Sequence, residues 1–264
     1  MRPRNQITAV AMVLCALTAA RAGINDDLIS AARNGSVEGV RSALGAGALV
    51  NARNGDGVTA LMAASGAGSV DVIKLLAARR AEVNLKDANG RTALMMAAES
   101  GSVDAVRALF IAGAGVNAKD NNGVSPLMLV AAYGSVSVAE YLVKVGARVN
   151  ARNNRGATPL LAAAGAGRVD MVKFLVKRNA TVNAADNDGW TPLLRASYAG
   201  HAGVAALLLG AGARTDARIT LADAYGVTSL MLASLNGHAA VVKLLIAGGA
   251  DVNARDKLGQ TALA

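Results

Sequence analysis

Apolar residues come in short bursts along the chain, separated at regular intervals by polar, Gly-containing stretches. In the stretch from Gly156, Leu160, Ala163 and Ala164 fall at helical spacing, and Val169, Val172, Leu175 and Val176 form a second apolar stripe. The pattern predicts two short helices meeting at Gly167, where a chain leaving a helix often needs positive φ. Thr158 is placed to cap the first helix, and Pro159 sits at a first-turn position whose N–H would be unpaired anyway. Beyond the second helix, Val182-Asn183-Ala184 and the polar residues up to Gly189 predict an extended hairpin.

The same unit recurs. An anchor of the form G-x-[TS]-[APS]-L starts at Gly57, Gly90, Gly123, Gly156, Gly189, Gly226 and Gly259, at intervals of 33, 33, 33, 33, 37 and 33. Such a period marks a stacked array in which each unit buries its apolar face on its neighbours. The expected organisation is a cap over 24–56, repeats over 57–89, 90–122, 123–155, 156–188, 189–225 and 226–258, and a partial copy over 259–264. The cap carries Ser42-Ala43 where the next unit has Leu75-Leu76, as befits a unit with one face in water.

With its G-x-T-P-L opening, A-A-x-x-G helix end, V-x-x-L-L second helix and G-A-x-V-N-A turn, the pattern resembles the ankyrin repeat from about Asp26 to Ala264. A tetratricopeptide array, with a 34-residue period and no hairpin between helix pairs, fits less well. The resemblance implies an all-α repeat solenoid of about seven helix pairs with short β-hairpin connections. It also implies a binding function directed at another protein.

Two departures from the family pattern stand out. The histidine usual after T-P-L is replaced by Met62, Met95, Met128, Leu161, Leu194 and Met231, so apolar contact is expected to substitute for its hydrogen bonds. Arg80 and Asn179 stand where the other units have a helix-ending glycine, which makes Arg80 a candidate strained position.

In the family, partners are held on a concave face built from hairpin tips, the residue after the anchor glycine and the last residues of the first helix. Carried onto this chain, those places hold Trp190, Tyr198, Tyr133, Leu235 and Tyr225. Tyr and Trp are the side chains most often found at binding hot spots. The 37-residue interval places four extra residues in one hairpin, around Ile219-Thr220-Leu221-Ala222. Ile219 and Leu221 there form either a contact ridge for a partner or a flap folded onto the stack. Tyr141, Phe110 and Phe174 sit in second helices and read as packing.

Composition fits thin layers: 53% of residues are hydrophobic, yet there are only one Trp, four Tyr and two Phe. At the N-terminus, Arg2 and Arg4 precede the apolar run Ile7 to Ala20 and an A-x-A pattern at Ala20-Arg21-Ala22. This is the layout of a signal peptide over 1–22, too short for the roughly 20 apolar residues of a membrane span. Export to the periplasm or medium is the expectation. Cleavage would remove Cys15, the sole cysteine, and with Arg2, Arg4 and Arg21 gone the formal charge would fall from +9 to +6. The cations are scattered without interleaved aromatics, which argues against nucleic acid as partner. A basic envelope-associated protein that binds anionic lipid or polysaccharide is the alternative reading.

Nothing in the sequence assembles into a catalytic or metal site, and no cofactor is expected. His201 and His238 occupy a helix-start slot held elsewhere by Ser69, Ser102, Ser135 and Arg168, which reads as structural. Asp120-Asn121-Asn122-Gly123 and Asp186-Asn187-Asp188-Gly189 lack the acid that closes a calcium loop and read as Asx turns. The expected molecule is a non-catalytic adaptor, monomeric when alone.

Overall fold

The computed structural model describes residues 22–221 and 225–263, so the expected signal segment lies outside the described residues except for Ala22. Helix α1 covers 22–33 and is followed by α2 (Val37–Gly45). The next pairs are α3 (Ala60–Gly66) with α4 (Val70–Ala78), α5 (Ala93–Ser100) with α6 (Val103–Ile111), and α7 (Pro126–Tyr133) with α8 (Val136–Lys144). Then come α9 (Pro159–Gly165) with α10 (Val169–Lys177), α11 (Pro192–Tyr198) with α12 (Ala202–Gly210), and α13 (Ser229–Leu235) with α14 (Ala239–Ala247).

Two compact units divide the chain between Gly115 and Val116. In the first, α3 packs on α4 and α5, and α4 also meets α2 and α6. In the second, α7, α9, α11 and α13 form one layer of successive neighbours, and α8, α10, α12 and α14 form the other. Each unit is therefore a stack of helix pairs of the all-α repeat type.

The repeated letters have repeated physical jobs. Leu61, Leu94, Leu127, Leu160, Leu193 and Leu230 are all buried to 2% exposure or less, which supplies about 2 kcal/mol of burial apiece. Ahead of α3, α5, α7, α9, α11 and α13, a Ser or Thr hydroxyl accepts the N–H three residues on, at 3.3 Å from Thr158 to Leu161 for example. Such a cap is worth about 1 kcal/mol. Met62 and Met231 add a contact that apolar substitution alone did not predict: their sulfurs accept the backbone N–H of Thr59 and Thr228. Arg80 and Asn179 do take positive φ, 61° and 60°.

The expected β-hairpins are not formed: no strand occurs among the described residues, and two isolated bridges, Arg53 to Thr59 and Arg218 to Thr228, are the nearest approach. Side chains take the place of a ladder. Asp87 accepts the N–H groups of Asn89 and Arg91, and Asp120 those of Asn122 and Val124, so an Asx turn closes each tip. Val182 and Asn183, expected to be extended, lie in a turn closed by the N–H of Ala184 on the carbonyl of Thr181.

Four turn asparagines each staple one repeat to the next. Asn183 donates to the carbonyl of Gly212 and accepts from the N–H of Arg214, and Asn84, Asn117 and Asn150 repeat both bonds one unit further back each time. Exposed cations add a second row of ties. Arg53 donates to the carbonyl of Lys86, Lys119 to that of Arg152, Arg152 to that of Ala185, and Arg218 to that of Arg255.

Candidate functional site

The cap of α11 brings the aromatic residues together. Thr191 starts the helix, so Trp190 stands just outside it, while Arg195 and Tyr198 follow at helical spacing. The rings of Trp190 and Tyr198 meet edge to face, 5.7 Å apart at 78°. The Arg195 guanidinium lies 4.2 Å from the centre of the Trp190 ring and donates from Nη2 to Asp186 Oδ2 at 3.2 Å. Asp186 is buried; its Oδ1 accepts the N–H groups of Asp188 and Trp190 and so closes the turn that presents the indole. Turn, cation and aromatic pair make one connected structure.

Behind the indole lies a small core. Ile219 joins Leu194 and Leu232 there, with Trp190, Ala217 and Val227 packed against them. Ile219 was expected at a contact surface, but it is 1% exposed. Its backbone explains this. Ile219 N–H bonds to the Val227 carbonyl and the Gly226 N–H to the Ile219 carbonyl, the same pair of bonds that Asp186 makes with Trp190 and Gly189. Ile219 thus fills the place of the turn-opening Asx, and an apolar side chain there turns inward. Of the two readings of the longer hairpin, the folded-down one holds for Ile219. Leu221 remains exposed at 46%, and the neighbouring 222–224 lie outside the described residues.

Trp190 is itself partly covered, so it serves as a platform; the exposed surface is supplied by Tyr198 at 53% and Leu235 at 83%. These three and Ile219 line one open groove of about 1010 Å³ together with Leu232, Lys243 and Leu263. Tyr225, Leu221 and Tyr133 are exposed but are not part of that lining. Tyr133 ends α7, two helices before α11 in the same layer.

Arg195 and Asp186 were missed as site residues. A signal existed: the place of Arg195 is held by Ala63, Met96, Leu129, Ala162 and Leu232 in the other units, so a lone cation stands in an apolar column. In the unit from Gly90 the two places that Trp190 and Tyr198 fill hold an ion pair instead, Arg91 with Glu99.

The two histidines act as ties between units. His201 Nε2 lies 3.2 Å from the Gly165 carbonyl, and His238 Nε2 lies 3.1 Å from that of Tyr198. The His238 ring rests on Gly200, where any Cβ would come within 2.6 Å of the ring, and the positive φ of 74° also favours glycine. No group of His, Cys, Asp and Glu among the described residues is placed to hold a metal ion. Among the described residues, the exposed pair Arg214 and Asp216 has perturbed ionisation: hydrogen bonds from Arg214 hold Asp216 below the ordinary carboxylate range.

A family model described as ankyrin repeats (3 copies) matches residues 28–120, 108–186, 127–223 and 182–256. No curated protein matches the chain. No helix among the described residues is long and apolar enough to cross a membrane.

Proposed function

Because the chain belongs to the ankyrin repeat family, whose repeats generally mediate protein–protein interaction, we propose that it is a non-catalytic scaffold that holds another protein. The observation that carries this reading is the exposure of Tyr198 and Leu235 above a platform that Trp190, Arg195 and Asp186 hold rigid. An aromatic fixed before binding loses little rotamer freedom when a partner arrives. Leu221, Tyr225 and Tyr133 extend the candidate contact surface of the second unit.

The N-terminal layout supports export, and the reading is of an accessory or protective adaptor working in the cell envelope or outside the cell. N-terminal sequencing of protein recovered from the exported fraction tests this part: a start at Gly23 is expected, and a retained Met1 would refute cleavage.

Immobilised full-length chain should recover a defined partner from the exported fraction, and Tyr198→Ala or Leu235→Ala should abolish recovery with helical content unchanged. Equal recovery by the variants would remove this surface from the function. The alternative, an electrostatic envelope protein, finds less support, because Arg53, Lys119, Arg152 and Arg218 donate to backbone carbonyls of the next unit and so have a structural use. Moderate salt separates the two readings. An aromatic-centred interface survives it, whereas attachment by charge alone is screened.

A further inference from the structure

We propose that the Trp190–Tyr198 surface takes an acidic segment of its partner, one that lays apolar side chains on Tyr198 and Leu235 and sets a carboxylate against Arg195. The inference rests on the protein-binding reading above and specifies the chemistry of the guest.

The face of a tryptophan is the usual seat for a cation. Here that seat is taken, since Arg195 lies 4.2 Å from the ring centre. A cationic guest would meet like charge on that face. Arg195 still has donors to give: Nη2 alone engages Asp186, and the side chain is 36% exposed. Asp186 is withheld from a guest by burial, its side chain being 4% exposed, while Oδ1 accepts two backbone N–H groups and Oδ2 accepts from Arg195.

Two further cations stand close by. Lys243 lines the groove and Arg155 sits on the adjoining turn, both exposed and without a partner among the described residues. Two carboxylates lie nearby: Asp188, and Asp256 in the groove lining, whose Oδ1 accepts the N–H groups of Leu258 and Gln260. The indole N–H and the Tyr198 hydroxyl are further donors with no partner among the described residues. Cations and spare donors around an exposed apolar centre fit an acceptor-rich guest with large apolar side chains, and the formal charge of +6 left after removal of Arg2, Arg4 and Arg21 from the +9 of the whole chain favours its approach.

A phage library of random peptides selected on the full-length chain tests this. Enriched sequences should be acidic with interspersed aromatic or leucine residues, and Tyr198→Ala should abolish their binding. Arg195→Gln should weaken a selected acidic peptide about tenfold, the loss of one charge-assisted hydrogen bond in a partly desolvated site. Enriched sequences that need Tyr198 but are neutral or basic overturn the acidic guest and leave the protein-binding surface standing. Sequences that bind Tyr198→Ala equally well, or no enrichment at all, overturn both. Should Arg195→Gln fail to fold, the composition of the selected peptides still decides.

Discussion

Arg80 ends α4 in a conformation that an L side chain with a Cβ adopts at a cost, φ being 61°. Five equivalent places hold glycine, so the strain was legible once the units were compared. Arg80→Gly should relieve about 1 kcal/mol, less part of that returned through the greater freedom of glycine in the unfolded chain. Urea denaturation of the two proteins measures the difference, and a destabilised variant would show that the arginine side chain earns its place by a contact. Arg195 shows the opposite case. Its role depends on Asp186, nine residues earlier, being buried in a turn and on Trp190 lying beneath the guanidinium. That relation exists only after the turn folds, although the break in an apolar column marked the position.

At the scale of elements, helices and caps could be read from the sequence because they depend on neighbours three or four residues away. The connections could not. Their polar composition suits a hairpin, but the Asx carboxylate and amide groups take the N–H groups a ladder would use. Ile219 was misplaced for a related reason: counting fixes how many residues are extra and leaves open which residue inherits the Asx place. The staples between units show a second gap of this kind. Asp216 stands where the other turns have Asn, and a carboxylate has no N–H to donate. It pairs instead with Arg214, through bonds of 3.0 and 2.9 Å. Asp216→Asn should restore the missing bond to the Gly249 carbonyl and slow amide exchange around Gly249 to Asp251 several-fold. Unchanged exchange would mean that the longer hairpin has moved the two out of reach. The pair also sets a pH direction. Asp216 titrates below its ordinary value, so what it contributes is present above the usual carboxylate range and is lost as pH falls through its own lowered value. Asp216→Asn removes that acid-side dependence, which a pH series of thermal melts would register.

At the scale of the molecule, each of the two units is a stack of pairs with its own core. Leu61 is buried between α3 and its neighbours in the first unit, and Leu193 has the same place in α11 of the second. Either change to Ala removes similar apolar contact and leaves a similar cavity, at a cost of about 3 kcal/mol. Where the loss is felt should differ, because stability in such arrays is close to a sum of unit and nearest-neighbour contributions. Trp190 is the sole tryptophan and lies in the second unit, so its fluorescence reports on that unit, whereas far-UV circular dichroism weighs all helices. Leu193→Ala should lower the denaturation midpoint seen by both probes. Leu61→Ala should lower the midpoint seen by circular dichroism more than the one seen by fluorescence, and the two curves should separate. If Leu61→Ala moves both probes equally, folding is all-or-none over the whole chain, and a partner bound near Tyr198 would stabilise the first unit as much as the second. If the curves part, that stabilisation stays in the second unit, and the binding surface can be ordered by its partner without the first unit responding.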